Sequence, residues 1–198
     1  MNAASPGAMG TSSAVRDRAL IIIPIVHAEA DLGTLAAEVR GADPAAWERK
    51  QRLIGEHWNS VERFCSTLPG EPRRWRVYQD GLPVCGRERA IIEDLALRGS
   101  RNGSVVLSLL SRGATLEGTE SPALLIEEYR RARAPLTPGK SDAEGAQRLL
   151  RQRDDFIARR IDHTLKQGET GILFIGLLHD VLSRLPPSID VTTAALRA

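Results

Sequence analysis

Apolar side chains form two nearly uninterrupted runs, over residues 18–26 near the start of the chain and over residues 171–175 near its end. Continuous rather than alternating runs are typical of strands covered on both faces, as in a parallel sheet between helices. Pro24 cannot donate to a sheet ladder, so it marks the end of the first strand or a bulge. Three shorter stretches predict further strands, at 75–79, 114–118 and 189–192.

Between the strands, apolar positions recur three and four residues apart, which predicts helices. Asp43 and Pro44 suit the start of the first helix, and Asp142 suits the start of the long helix predicted over 142–166. The predicted helices cover residues 43–68, 87–98, 103–112, 121–133, 142–166 and 178–185. Strands that alternate with helices predict a three-layer α/β fold, with a mostly parallel central sheet of about four or five strands flanked by helices.

The same pattern predicts one domain over residues 18–198, with a disordered lead over 1–17 and a mobile loop over 134–142. The lead lacks the basic-then-apolar layout of a signal peptide, and no apolar stretch approaches the roughly 18 residues of a membrane helix. A cytoplasmic protein without membrane contact is therefore expected.

Composition argues against nucleic acid as a partner. The chain has 27 basic and 25 acidic residues, a formal net charge of +2, and only 4% aromatic residues. That balance provides neither a basic stripe for phosphates nor a platform on which bases stack. The only two cysteines, Cys65 and Cys85, imply no disulfide framework.

Reactive side chains follow the predicted strands at the points where the strands end. In an open parallel sheet the carboxyl ends of the strands share one edge, and ligands bind in the crevice beyond it. The first strand gives His27, Glu29 and Asp31, the second gives Tyr78 and Asp80, the third gives Glu117 and Glu120, and the fourth gives His179 and Asp180. The sequence therefore predicts one site of imidazoles and carboxylates.

Each of these residues also has an ordinary structural role open to it. Asp80 forms a common turn dipeptide with Gly81, and Glu120 suits the start of the helix that follows it. The chain has no G-x-S-x-G nucleophile elbow, no complete phosphate loop, and no C-x-x-C or H-E-x-x-H pattern. What remains, imidazole with carboxylate, either binds a divalent metal with an open coordination position or performs acid–base chemistry without one.

Three short motifs occur in order along the chain: PIVH at 24–27, RDDFI at 153–157 and GLLH at 176–179. Together they resemble the TraB/Tiki/GumN family of the wider erythromycin esterase-like and ChaN-like superfamily. That family has a G-x-x-H motif near the start, a glutamate from a middle strand, an arginine in a helical motif, and a final G-x-x-H motif. The first motif departs from the family, because Pro24 stands where the family has glycine.

The resemblance implies a residue set as well as a fold. Glu117 or Glu120 corresponds to the middle glutamate, and Glu120 is preferred because it lies past the predicted strand end. Arg153 corresponds to the arginine of the helical motif. Members of the family include proposed metal-dependent proteases, macrolide esterases and a haem-binding lipoprotein, so the resemblance implies a site more firmly than a reaction.

We therefore expect a metal-assisted hydrolase of esterase or peptidase type, acting on a small molecule or peptide and compatible with a homo-oligomer. His27, His179 and Glu120 are the expected ligands of Zn²⁺ or Mn²⁺, with the two histidines close enough to share one ion. Glu120, Asp80 and Glu29 are candidates for the base or its orienting group. In a metal-free version, a histidine activates water directly, with Glu29 or Asp180 orienting it. The alternative is a non-catalytic module that binds an anion, haem or a nucleotide at the same edge.

Arg153 falls on the apolar stripe of its helix. A guanidinium there must find a carboxylate or a ligand, because an unpaired buried charge is costly. Two outcomes stay open: a structural ion pair with Glu29, Asp80 or Glu120, or a position beside His179 that faces the substrate's anion.

The segment YQDGLPVCG (78–86) is expected to wall the same pocket. Gly81 and Gly86 permit backbone conformations that other residues resist, and Pro83 stiffens the chain between them. Cys85 is expected to line the pocket.

Overall fold

A computed structural model describes residues 18–26, 44–133 and 142–196. The predicted lead and all of the predicted mobile loop except Asp142 lie outside these residues. The described part contains five strands and five α-helices. The strands are β1 (Arg18–Ile25), β2 (Trp75–Gln79), β3 (Thr115–Glu117), β4 (Thr170–Gly176) and β5 (Ile189–Thr193), and the helices are α1 (Pro44–Ser66), α2 (Glu88–Leu97), α3 (Arg101–Ser111), α4 (Pro122–Arg133) and α5 (Ala143–Thr164).

The strands form one parallel sheet in the order β3-β2-β4-β1-β5. The sheet is covered on both faces. One face packs through Ile23, Val77 and Phe174 against α1, α2 and α3, and the other packs through Leu20 and Leu173 against α5. Both apolar runs are continuous because β1 and β4 lie in the middle of the sheet, where alternate side chains enter opposite cores. The predicted three-layer α/β fold is confirmed.

The connections that follow β2 and β4 leave the sheet toward opposite faces. After β2 the chain enters α2 and α3, on the face that also carries α1. After β4 it turns to the α5 face, where Val181 is buried. β2 and β4 are neighbours in the sheet, so their carboxyl ends bound a crevice of the kind in which open α/β sheets bind ligands.

One predicted helix is wrong. Residues 178–185 contain only a three-residue 3₁₀ turn, Leu182–Arg184. The N–H groups of Arg184 and Leu185 bond to the carbonyls three residues back, at Val181 and Leu182, so the turn is 3₁₀ rather than α-helical. Pro186 and Pro187 then prevent an extension toward the C-terminus.

Capping at the start of α5 agrees with the sequence. Asp142 accepts a hydrogen bond from the Gly145 N–H at 3.1 Å and so caps α5. Within the described residues, none of the helices combines the length and the apolar character needed to cross a membrane.

Candidate functional site

Four side chains from four elements meet at the carboxyl edge of β2 and β4. Asp80 follows β2, Glu120 follows β3 and precedes α4, His179 follows β4, and Arg153 comes from the middle of α5. The Glu120 side chain is fully buried, and the other three are 5–6% exposed. The structure thus brings together four of the residues singled out in the sequence.

Arg153 is bound by three carboxylates. Its Nε donates to Glu120 Oε2 at 2.6 Å, and its Nη2 donates to Glu120 Oε1 at 2.6 Å and to Asp80 Oδ1 at 3.0 Å. Its Nη1 donates to Glu128, a half-exposed residue of α4. The ion pairs foreseen for Arg153 with Asp80 and Glu120 are therefore present. Arg153 and His179 also line the same cavity.

Backbone donors fix the same two carboxylates. The Gly81 N–H donates to Glu120 Oε1 at 2.9 Å, and the Gly176 N–H donates to Asp80 Oδ2 at 3.0 Å. Burial opposes the ionisation of Asp80, but His179 and Arg153 hold its pKa well below the usual range. Burial raises the pKa of Glu120 above its ordinary value, although Arg153 opposes that rise. The pKa values of these two adjacent carboxyl groups are thus shifted in opposite directions.

His179 is oriented by a carboxylate that the sequence analysis did not single out. Its Nδ1 lies 2.6 Å from Asp154 Oδ1, and Asp154 Oδ2 accepts the Asp180 N–H at 3.1 Å. With Nδ1–H donated to Asp154, Nε2 faces Asp80 Oδ1 at 3.5 Å. Burial on its own would lower the pKa of His179, but the contacts with Asp154 and Asp80 outweigh it and raise the pKa to about 9.

One signal for Asp154 was available in the sequence. Asp154 directly follows Arg153 in α5 and lies one turn before the buried residues Ile157 and Ala158. A carboxylate on a buried helical stripe needs a partner for the same reason as the guanidinium beside it. That argument was made for Arg153 alone.

Asp80, Glu120 and His179 each offer one ligand atom, and these atoms lie within 4.8 Å of one another. The expected ligand set of His27, His179 and Glu120 thus has two members in this cluster, and Asp80 is the third donor. His27, Glu29 and Asp31 lie outside the described residues, so their predicted roles stay predictions.

A cavity of about 650 Å³ opens above the cluster, with Asp80, Arg153 and His179 at its polar end. Its other walls come from β1, α1, α4, α5 and the loop after β4. Within the described residues they are Ile25, Val26, Lys50, Leu53, Ile54, His57, Gly81, Glu128, Leu150, Gly176, Leu177 and Leu178. The volume is in the range of sites for small-molecule ligands.

Other candidates from the strand ends point elsewhere. Tyr78 is buried on the α5 face and bonds to Thr164. Glu117 pairs with Arg76 and Arg160. Asp180 is exposed and accepts a bond from Ser183. The expectation that Asp180 orients a histidine is therefore wrong, because Asp154 holds that position.

The segment 78–86 contributes only its first half to the cavity wall, through Asp80 and Gly81. Leu82 turns into the core, and Cys85 is exposed, with its N–H bonded to Glu88. The expectation that Cys85 lines the pocket is wrong: the positive φ of Gly81 redirects the chain toward α2 immediately after the cavity wall.

Gly176 is required by the close approach of Asp80, which predicts an effect of substitution. A Cβ at this position would lie 3.0 Å from Asp80 Oδ2. Asp80 is held by Gly176, Arg153 and His179 and cannot retreat freely. We expect Gly176→Ala to lower the free energy of unfolding by about 1–2 kcal/mol, measured by urea denaturation.

Gly55→Ala is the matched control for this substitution. Gly55 lies inside α1, and a Cβ there would meet no atom within 4 Å. Alanine should therefore raise stability at this position, by about 0.5–1 kcal/mol. Equal effects of the two substitutions would contradict the steric argument.

The raised pKa of His179 predicts that stability falls as pH rises from about 6.5 to about 9. The folded chain binds this proton more tightly than the unfolded chain, so the contribution is complete below pH 6.5 and is lost as pH passes through 9. The shift corresponds to about 3 kcal/mol. Urea unfolding at both pH values, with and without His179→Gln, isolates this contribution. An equal fall in the variant would show that other groups cause it.

Comparisons with known proteins add no relationship to this geometry. No family model matches the chain, and the searches of curated proteins and of solved structures also found no match. The resemblance to the TraB/Tiki/GumN family stays a prediction.

Proposed function

We propose that this chain is a metal-assisted hydrolase whose centre is formed by Asp80, Glu120 and His179. One observation carries the proposal. Three strand ends bring two carboxylates and an imidazole within 4.8 Å of one another, and this cluster adjoins a cavity of about 650 Å³.

The donor set fits a divalent metal ion. Two carboxylate oxygens with one imidazole nitrogen suit Zn²⁺ or Mn²⁺. Four carboxyl groups lie in or beside the cluster (Asp80, Glu120, Glu128 and Asp154), with three basic groups (Arg153, His179 and Arg184). The acidic groups outnumber the basic ones, so the cluster favours an added cation.

The bond between Asp154 and His179 supports the same assignment. Metal-binding histidines commonly donate their other ring N–H to a carboxylate, which fixes the tautomer and the ring orientation. Here Asp154 accepts a hydrogen bond from the Nδ1–H of His179, which leaves Nε2 directed at Asp80. Arg153 holds Asp80 and Glu120 in place, which limits the rearrangement needed for binding.

When bound, a divalent ion lowers the pKa of a coordinated water to near 7 and polarises a substrate carbonyl. Burial raises the pKa of Glu120 above its ordinary value. Arg153 bonds both Glu120 oxygens, and Glu120 is not among the residues that line the cavity, so its part is to hold the ion rather than to exchange protons with the substrate. The side chains of Asp80, Arg153 and His179 are only 5–6% exposed, which limits the access of bulk water to these groups.

A metal-free mechanism fits less well. With a pKa of about 9, His179 has a neutral fraction of about 1% at pH 7, so it is a poor base there. A bound cation would displace the proton from Nε2. The non-catalytic alternative differs from the proposal in predicting binding without turnover.

The test is metal binding followed by turnover. The full chain, purified without chelator and then dialysed, is titrated calorimetrically with ZnCl₂ and MnCl₂, and assayed on p-nitrophenyl acetate and on a fluorogenic peptide library. We expect one equivalent of metal to bind and hydrolysis to depend on it. Metal binding without hydrolysis would favour a non-catalytic module. The absence of both metal binding and hydrolysis would overturn the metal-assisted hydrolase.

A further inference from the structure

Three leucines at the cavity are unusually exposed. Leu178 is 84% exposed, Leu177 is 72% exposed and Leu53 is 67% exposed. Leu177 and Leu178 follow β4 and directly precede His179, whereas Leu53 comes from α1. Exposed apolar side chains that line one cavity beside reactive groups indicate a ligand surface.

These leucines continue into a deeper apolar wall. Ile25, Ile54 and Leu150 also line the cavity, and Ile25 and Ile54 are buried. The polar cluster and the apolar wall thus adjoin within one cavity, joined by the short loop from Leu177 to His179. A ligand that fills the cavity must have an apolar part next to the group that reaches Asp80 and His179.

The charges at the polar end disfavour an anionic ligand group. The Arg153 guanidinium is bonded to Glu120, Asp80 and Glu128. Of the three other basic residues in the wall, His179 is bonded to Asp154, His57 Nε2 is bonded to the Pro24 carbonyl, and Lys50 is exposed beside the Trp47 ring. An uncharged ester or amide therefore suits this end better than a phosphate or carboxylate.

We propose that the substrate is an acyl ester or acyl amide whose hydrocarbon chain lies against Leu53, Leu177 and Leu178. This proposal rests on the proposed function. Water adds to the acyl carbonyl carbon, and the bond from that carbon to the alcohol oxygen or amine nitrogen breaks. The leaving group takes a proton, and the products are a carboxylic acid and an alcohol or amine.

The first experiment compares p-nitrophenyl acetate, butyrate, octanoate and decanoate on the full chain with added Mn²⁺ or Zn²⁺. A fully buried methylene is worth about fourfold in binding. We expect kcat/KM to be at least tenfold higher for octanoate than for acetate. Leu177→Gln with Leu178→Gln should reduce that ratio at least fivefold, because the chain then lies against amides.

Leu97→Gln is the matched control. Leu97 is 88% exposed at the end of α2 and is not among the residues that line the cavity. This variant should keep the ratio of the parent protein. An equal loss in both variants, or equal rates on acetate and octanoate, would overturn the acyl assignment while leaving the hydrolase intact.

A second readout does not depend on turnover. Binding of the fluorescent probe 11-(dansylamino)undecanoic acid methyl ester to the full chain should be weakened at least fivefold by the double leucine variant and unchanged by Leu97→Gln. Such binding without any ester hydrolysis would overturn the proposed function and support the apolar site. No binding, together with a dimer that the double variant dissociates in size-exclusion chromatography, would assign the leucines to contacts between copies and overturn the acyl site.

Discussion

Replacing Arg153 with leucine is expected to lower the free energy of unfolding by about 3–5 kcal/mol. The Arg153 side chain is 6% exposed and bonds to Glu120 and Asp80, which are themselves 0% and 6% exposed. Without the guanidinium, two buried carboxylates lie side by side with no countercharge on α5. The measurement is urea unfolding at pH 7, analysed as a two-state transition.

Arg159→Leu is the control on the same helix. Arg159 is exposed, so its loss should cost less than about 0.5 kcal/mol. Arg153→Lys keeps the charge but loses the fork that binds Glu120 at two points, so it should fall between the two leucine variants in stability. It should also reduce turnover sharply, because Glu120 is no longer held. A stable Arg153→Leu protein would refute the view that the guanidinium is the countercharge of this cluster.

Replacing His179 with glutamine is expected to weaken divalent metal binding by at least about 100-fold and to abolish most turnover. His179 is the only nitrogen donor of the described cluster. Asp154→Asn should have a smaller effect, about 10–100-fold on affinity, because Asp154 acts only through the histidine. Calorimetric titration with Zn²⁺ and Mn²⁺ measures both.

Asp180→Asn is the control for this pair. Asp180 is adjacent to His179 in sequence, but it is exposed and directed at Ser183. Its substitution should leave metal affinity within about twofold of the parent protein, as for a surface change remote from the cluster. If Asp180→Asn weakens binding as strongly as His179→Gln, the metal lies elsewhere, and the assignment of Asp80, Glu120 and His179 fails.

Local pattern was sufficient for most secondary structure. The stretch 75–79 is β2 to the residue, and the cap at Asp142 opens α5 as expected. These features depend on burial periodicity and on side chains that bond to their own backbone, both of which are local. The helix expected at 178–185 is limited to the 3₁₀ turn Leu182–Arg184, and the two prolines at 186 and 187 end it.

The sequence also determined which edge of the sheet carries the chemistry. Asp80, Glu120 and His179 follow three separate strands, and parallel strands place their carboxyl ends at one edge whatever their order. The need for a countercharge at Arg153 followed from its place on an apolar helical stripe.

Only the tertiary structure decided which groups meet. The order β3-β2-β4-β1-β5 makes β2 and β4 neighbours, although 90 residues lie between the end of β2 and the start of β4. It therefore places Asp80 beside His179. The packing of α5 across the sheet decides which side chains become partners. It gives Arg153 the partners Glu120, Asp80 and Glu128, and it gives His179 the partner Asp154. Pairing energies of this kind depend on distance and burial, and both are set by contacts between segments far apart in the chain.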